Sequence, residues 1–580
     1  MSGHILKRPV IVVLVGALVG FGAVLALRDT GGRPEPEATV ASPAVPEVAG
    51  TPVELVAPVT RIATGPSSPD ALTMVEHVHT AVVAAPGPDR MRAAHLAHTL
   101  RAPLVLTRAG GPDTRTSTGS EPAGAATAHP DARPSGRQRP GAAAALRRMG
   151  VVRAVLVGDA VTDEGARYGG VREIVRLRPT TRHRPTGRQL IRWAAGGRAP
   201  GQHSDAGFDD RAVHDLLATL PAPAPPTGVA ALVRPGGTEA VHVALAARAV
   251  GHTVVATSAR DPRGDARLID RLAALSPDGE APRVVLGGRG MAALDRRDVA
   301  AQVAVAATGV HLPGGGQLVI DPRRPHGRRY VGLYGVPQSA LLGALGEQPV
   351  DASVTRTRRL AREYQRAVGS EADIIGCFEI IATVASSSAG RDGNYANELS
   401  ITDLEPAVRA ARRAGLYVLL DIQPGRTDFL TQARRYRRLL RRSHVGLALD
   451  PEWRLQPGEK HLEQIGSVGI DEVNAVADWL ADLTRRRRLP QKMLLIHQFR
   501  LSMVRDRERL DTSRDELAYV IQMDGQGPQG TKIDTWQAIT ATPPDGVHFG
   551  WKNFYDEDTP VRSPGATMAL TPPPVFVSYQ

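Results

Sequence analysis

Residues 416–423 read LYVLLDIQ and residues 444–453 read HVGLALDPEW. Each is a short apolar run that ends in an aspartate, the pattern of a strand buried on both faces with a polar group at its carboxyl end. Working outward, six further runs of this kind occur at Arg329–Tyr334, Asp373–Val384, Lys492–Gln498, Leu517–Asp524, Val547–Lys552 and Val575–Tyr579. With Leu416–Ile422 and His444–Asp450 they make eight strands in about 250 residues, the count and length of a (β/α)8 TIM-like barrel. Helical stretches at Ser353–Ala367, Leu404–Ala414, Arg426–Arg441, Ile470–Arg487 and Thr531–Ile539 fill most of the gaps. The last gap, Asn553–Pro574, reads as a loop. The barrel is expected over residues 328–580, the region that also holds 19 of the 23 aromatic residues.

Such barrels carry their chemistry at the carboxyl ends of the strands. Here those ends are Asp421, then Asp450 with Glu452 and Trp453, then His497 with Gln498, then Asp524, then Trp551, Lys552 and Tyr555. Glu379, in the second strand, faces either the interior or the outside. Several carboxylates with neighbouring aromatics suit glycoside cleavage, which needs one carboxyl protonated as acid and another ionised as base, nucleophile or charge stabiliser. Glu452 is the expected acid, with Asp450, Asp421 or Asp524 as its partner. Trp453, His497, Gln498, Lys552, Tyr555 and Trp551 are the expected substrate contacts. Period-two alternation puts Asp450 and Glu452 on one face if the strand continues, while Pro451 is expected to bend the chain and spread the pair.

The chain has 580 residues, a formal charge of +12 and a pI near 10.2. Of its 71 basic residues 66 are arginine, which together with abundant Ala, Gly and Pro reads as compositional bias rather than a nucleic-acid footprint. One cysteine, Cys377, rules out an intrachain disulfide framework and any cysteine-cluster metal site. No paired-histidine spacing is present, so no metal and no cofactor are expected. A Gly-x-Ser-x-Gly elbow is absent. Gly314-Gly315-Gly316 lacks the lysine and helix of a phosphate loop and reads as a tight turn.

Pro9 to Leu27 is an uncharged run of 19 residues, preceded by Lys7 and Arg8. It is expected to be a transmembrane helix with a cytoplasmic tip, residues 1–28 in all, the bulk of the protein lying outside the cytoplasmic membrane. Val24-Leu25-Ala26 leaves open a cleaved leader and a secreted product. Residues 29–57, rich in Pro and Ala, read as a disordered linker.

Two α/β units are expected next, at 58–220 and 227–321. Ala81–Ala85, a helix through Met91–Leu100 and a strand at Pro103–Thr107 are echoed by Val229–Val233, Thr238–Val250 and Thr253–Thr257. Each unit then returns to a strand ending in glycine, at Val151–Gly158 and Arg283–Gly288, which is the βαβ order of doubly wound parallel sheets. Residues 108–141 read as a disordered insertion, and Pro221–Pro226 as a linker.

Arg61-Ile62-Ala63, Pro88 through Ala97, Arg101 through Thr107 and Arg153-Ala154-Val155-Leu156-Val157-Gly158 resemble the cell-wall-binding repeat type 2 family, with Asp159 where a second glycine is usual. The resemblance implies tandem α/β modules that hold anionic wall polymers. Asp450-Pro451-Glu452 is similar to the Asp-x-Glu at the end of strand four in glycoside hydrolase family 25, which are barrels acting on cell walls. That family's strand-one aspartate has no counterpart at Tyr334-Gly335-Val336-Pro337. The C-terminal part also resembles uncharacterised actinobacterial surface proteins. Together these imply a membrane-anchored cell-envelope protein that hydrolyses a wall glycan. The alternative is a non-catalytic surface protein that binds cell-wall polysaccharide or anionic wall polymer and carries a degenerate barrel.

Overall fold

In the computed structural model the described residues are 59–62, 78–85, 89–107, 142–158, 170–180, 185–196, 208–321 apart from 223, 236, 278–279 and 288–295, and 327–580 apart from 338. The apolar run 9–27, the linker 29–57 and the insertion 108–141 lie outside them. Among the described residues no helix is long and apolar enough to cross a membrane. The chain divides into two compact units, Glu54–Gly309 and Val310–Gln580.

Among the described residues the first unit has eight parallel strands: β1 (Val59–Ile62), β2 (Thr80–Ala84), β3 (Leu104–Leu106), β4 (Arg153–Val157), β5 (Glu173–Leu177), β6 (Val229–Val233), β7 (Thr253–Ala256) and β8 (Arg283–Gly287). They form two four-stranded sheets, ordered β3-β2-β4-β5 and β1-β8-β6-β7. The βαβ echo is therefore real, but the boundary between its halves needs correction. Val59–Ile62, expected in the first half, pairs with β8 of the second. The halves also share one apolar core. Leu96 of α1 (Arg90–Thr99) and Trp193 of α3 (Gly187–Ala194) pack in the same cluster as Val241 and Leu245 of α5 (Gly237–Ala249). A further helix, α2 (Ala142–Arg148), precedes β4, α4 (Asp210–Ala218) precedes β6, and α6 (Ala266–Ala274) and α7 (Arg296–Ala306) flank β8. Local periodicity specifies the strands and helices, whereas the sheet edge that a remote four-residue strand joins is a tertiary choice.

The second unit is the expected closed barrel. Its strands are β9 (Arg328–Gly335), β10 (Asp373–Ala385), β11 (Tyr417–Ile422), β12 (Val445–Leu449), β13 (Lys492–His497), β14 (Leu517–Met523), β15 (Val547–Asn553) and β16 (Phe576–Tyr579). Each pairs in parallel with the next, and β16 returns to β9 to close the ring. The helices are α8 (Val350–Val368), α9 (Ile401–Ala414), α10 (Phe429–Arg435), α11 (Arg437–Leu440), α12 (Ile470–Arg486), α13 (Gln529–Thr540) and α14 (Pro564–Met568). The expected single helix over 426–441 is broken at Tyr436, whose buried hydroxyl donates to Ala382 O at 2.7 Å and holds the turn down on the barrel. The expected loop 553–574 contains the one-turn α14, started by Ser563 as N-cap and Pro564 at the first helical position.

Strand alternation divides the barrel into two faces. Leu333, Phe378, Ile380, Val418, Leu420, Leu447, Leu449, Leu494, Ile496, Ile521, Trp551 and Val577 point out into the helix layer. Tyr330, Ile375, Cys377, Tyr417, Leu419, Ala448, Met493, Leu495, Val520 and Phe576 fill the interior. Leu312, Val319 and Ile320 join that interior core from below, so residues 310–320 are the floor of the barrel and not the end of the preceding α/β unit. Val319 N and Ile320 N donate to the Gln491 side chain, and the Tyr330 hydroxyl donates to Val319 O. The Gly314–Gly316 turn is as tight as expected. All three glycines have positive φ, and a Cβ on Gly314 would sit 2.4 Å from Ile375 Cδ1. Arg328 donates to the carbonyls of Gly314, Gly315 and Leu318 and locks the turn in place.

Candidate active site

Following the inward face of each strand toward its carboxyl end, the apolar filling gives way to polar groups. These are Tyr334 on β9, Glu379 on β10, Asp421 on β11, Asp450 just past β12, His497 on β13, Gln522 and then Asp524 at the end of β14, Lys552 on β15 and Ser578 on β16. All are at least nine-tenths buried. Glu452 joins them from the turn after β12 and is only partly buried. Five carboxyl groups thus share one enclosed end of the barrel with one imidazole and one ammonium.

His497 lies at the centre. Its Nδ1 is 3.0 Å from Asp524 Oδ2, and its Nε2 is 3.1 Å from Glu379 Oε1 and 3.6 Å from Asp421 Oδ1. The orientation leaves both Glu379 oxygens, Asp421 Oδ1, Asp524 Oδ1 and His497 Nε2 itself without an aligned hydrogen bond. Burial alone would push the imidazole pKa down. The charge of Asp421, the hydrogen bond to Asp524 and the Glu379 carboxylate at ion-pair distance override it, holding the ring well above its usual range. The Tyr334 hydroxyl donates to Asp421 Oδ2 at 2.9 Å and accepts from Gln423 Nε2 at 3.1 Å. Burial first, then neighbouring carboxylates, keep the phenol protonated far above neutrality. Lys552 Nζ lies 3.4 Å from the centroid of the Tyr334 ring, a close cation–π contact.

The carboxyl groups differ in environment. Burial pushes Asp421 up to about 6 against the opposing charge of His497. Asp450 is raised further, by burial and by Asp421, Asp524 and Glu452 around it. Burial and the charge of Asp524 push Glu452 up to about 7, with Lys552 and His497 pulling the other way. Pro451 does bend the chain, since β12 stops at Leu449 and residues 451–453 form a 3-10 turn. It does not spread the pair. Asp450, Glu452 and Asp524 each place an oxygen within 4.8 Å of the others. Asp450 also caps the turn, accepting Glu452 N at 3.2 Å through Oδ1, so its helix-capping and site roles coexist. Three oxygens at this spacing could also span a hard cation.

The expected catalytic residues Glu452, Asp450, Asp421 and Asp524 therefore converge, and His497 and Lys552 are among them. The other expected substrate contacts have partners of their own. Trp551 is 0% exposed and packs in the helix layer against Trp536, ring centroids 5.7 Å apart. Since Lys552 points inward, its neighbour must point outward. Tyr555 stacks on Tyr579 at 5.2 Å and under Arg356. Gln498 is buried and held by Arg507 Nη1 and Leu501 O. Trp453 stands edge-on to His461 at 5.3 Å, and its carbonyl accepts Gly425 N. His497, fully buried, lies too deep for direct contact with a polymeric substrate. Tyr334, Gln423 and Gln522 complete the site without having been singled out, and Glu379, whose direction was open, points in. Phe378 and Ile380 pack in the helix layer, so strand alternation turns Glu379 inward. No family model matches the chain, and no curated protein matches it in sequence.

Proposed function

We propose that the barrel hydrolyses glycosidic bonds of a cell-envelope glycan, with Glu452 as general acid. The observation that carries this reading is the pairing of a partly exposed carboxyl pushed up to about 7 with two further carboxyl groups within 4.8 Å, at the carboxyl end of a parallel barrel. An acid held protonated near neutrality beside an ionised partner is what glycoside cleavage requires. Glu452 passes its proton to the leaving glycosidic oxygen. Asp524, its Oδ2 turned to His497 and its Oδ1 without a hydrogen bond, meets the charge that develops at the anomeric carbon. In this reading the protein is held at the membrane by residues 9–27 and works outside it. The test is release of new reducing ends from purified envelope glycan by the full chain, and their loss in E452Q.

The full burial of Glu379, Asp421 and His497, and the packing of Trp551 in the helix layer, favour a second reading. In it the protein holds anionic wall polymer through the α/β unit and the barrel is degenerate. Retention on purified wall with no sugar released by either wild type or E452Q supports that reading.

A further inference from the structure

We infer that His497 is a positioning residue of this site, a buried imidazolium that bridges the mouth carboxylate Asp524 to the deeper pair Glu379 and Asp421 and supplies the fixed countercharge of the cluster. The positioning role rests on the hydrolytic reading; the charge state of the ring does not.

The argument is geometric. A neutral imidazole has one N–H donor and one lone-pair acceptor. Here both ring nitrogens face carboxylate oxygens, Nδ1 at 3.0 Å from Asp524 and Nε2 at 3.1 Å from Glu379. Either neutral tautomer would set a nitrogen lone pair against a carboxylate in a place with no water to intervene, since the His497 and Glu379 side chains are 0% exposed. Nε2 sits between Glu379 and Asp421 at ion-pair distance without an aligned hydrogen bond to either, so what holds it there is charge, which only the doubly protonated ring supplies. The groups around it lead the same way. Tyr334 on β9, Glu379 on β10, Asp421 on β11, Asp450 after β12, Glu452 in the following turn, Asp524 at β14 and Lys552 on β15 all face this end of the barrel. Five of them are carboxyl groups, and Lys552 is the other cation among them. Lys552 is committed to the Tyr334 ring, which leaves His497 as the cation in contact with the deep carboxylates. The consequence for chemistry is positional. The imidazolium fixes the Asp524 carboxylate through one oxygen and leaves the other turned away, and its charge opposes the rise in Glu452.

The experiment is nitrogen NMR on the full chain labelled with 15N-histidine, the His497 signal being the one that H497Q removes. The expected result is two protonated ring nitrogens with no titration across about pH 5–8, the range in which an ordinary histidine loses its proton. A ring with a single N–H at neutral pH, or one that titrates near its ordinary value of about 6.5, overturns the inference. If H497Q does not fold, D524N keeps the shape and moves the Nδ1 resonance alone, which makes the same assignment. With turnover in hand, H497Q is expected to move the alkaline limb of the pH–rate profile upward by at least about one pH unit, because a charge opposing Glu452 is gone. A fall in rate with the limb unmoved marks His497 as structural packing and overturns the positioning role. Absence of any turnover in the wild type sinks the hydrolytic reading, and the NMR result still decides the charge state of His497.

Discussion

Lys532 Nζ and Asp558 Oδ2 form a 2.5 Å ion pair in which both side chains are almost completely buried. The same ammonium donates to Lys552 O, and the same carboxylate accepts the backbone N–H groups of Gly527 and Phe554. One pair from α13 and the β15–β16 connection thus pins the backbone of the site lysine. D558A leaves an ammonium buried without its partner and is expected to destabilise the barrel by about 3–5 kcal/mol. Urea unfolding followed by circular dichroism measures this; a loss below about 1 kcal/mol would show that the pair is not the anchor.

Among the described residues the Glu452 carboxyl group has no hydrogen-bond partner, its bonds being made by its backbone, so E452Q is expected to fold normally while losing activity by about 10²–10⁴-fold, the range for removal of a general acid. Normal unfolding with unchanged sugar release would remove Glu452 from the acid role.

The same substitution carries a pH signature. The ordinary pKa of Glu452, 4.5, is pushed up to about 7 in the folded protein. At pH below 4.5 both states are protonated and the group is neutral toward stability. As pH rises toward 7 the unfolded chain loses the proton first and the folded state is penalised, so stability falls across this window. E452Q is therefore expected to match wild type near pH 4 and to exceed it at pH 8, by on the order of 1–3 kcal/mol. Melting curves at the two pH values check it, and an equal difference at both would contradict it.

Lys552 pulls Glu452 and Asp421 down from where burial would leave them. K552M is expected to raise both, moving Glu452 above about 7. Carbon-13 carboxyl titration reads this directly, and a downward movement would refute the electrostatic assignment.

Asp450, Glu452 and Asp524 are close enough to bracket a cation, yet Asp524 already gives one oxygen to His497 and Lys552 faces the same cluster. Millimolar Ca²⁺ or Mg²⁺ is therefore expected to leave the melting temperature within about 1 °C, whereas a metal that binds the folded state tightly would raise it several degrees.

The barrel was legible because its strands are apolar on both faces and end in polar residues, and every one of the eight expected runs overlaps an observed strand. The convergence of Asp421, Asp450, Glu452, His497 and Asp524 followed from strand ends alone. The assignment of Trp551 failed for a reason present in the same strand: period-two alternation forbids Trp551 and Lys552 from sharing a face. Glu379 could have been placed by the same rule from Phe378 and Ile380. Other features lay beyond local pattern. Val59–Ile62 joins a sheet whose other strands begin more than 160 residues later. The turn at Pro451 bends the backbone yet keeps two carboxyl groups together, because the cap bond from Asp450 to Glu452 N folds the bend inward.

The glycine-rich turn beneath the barrel has a practical corollary. A cut just ahead of the first barrel strand, where pattern alone would draw the border, strips away Leu312, Val319 and Ile320 and bares the underside of Tyr330, Tyr417 and Met493 to water. Any severed barrel half that is to stay soluble must keep its upstream stopper and begin no later than Val310.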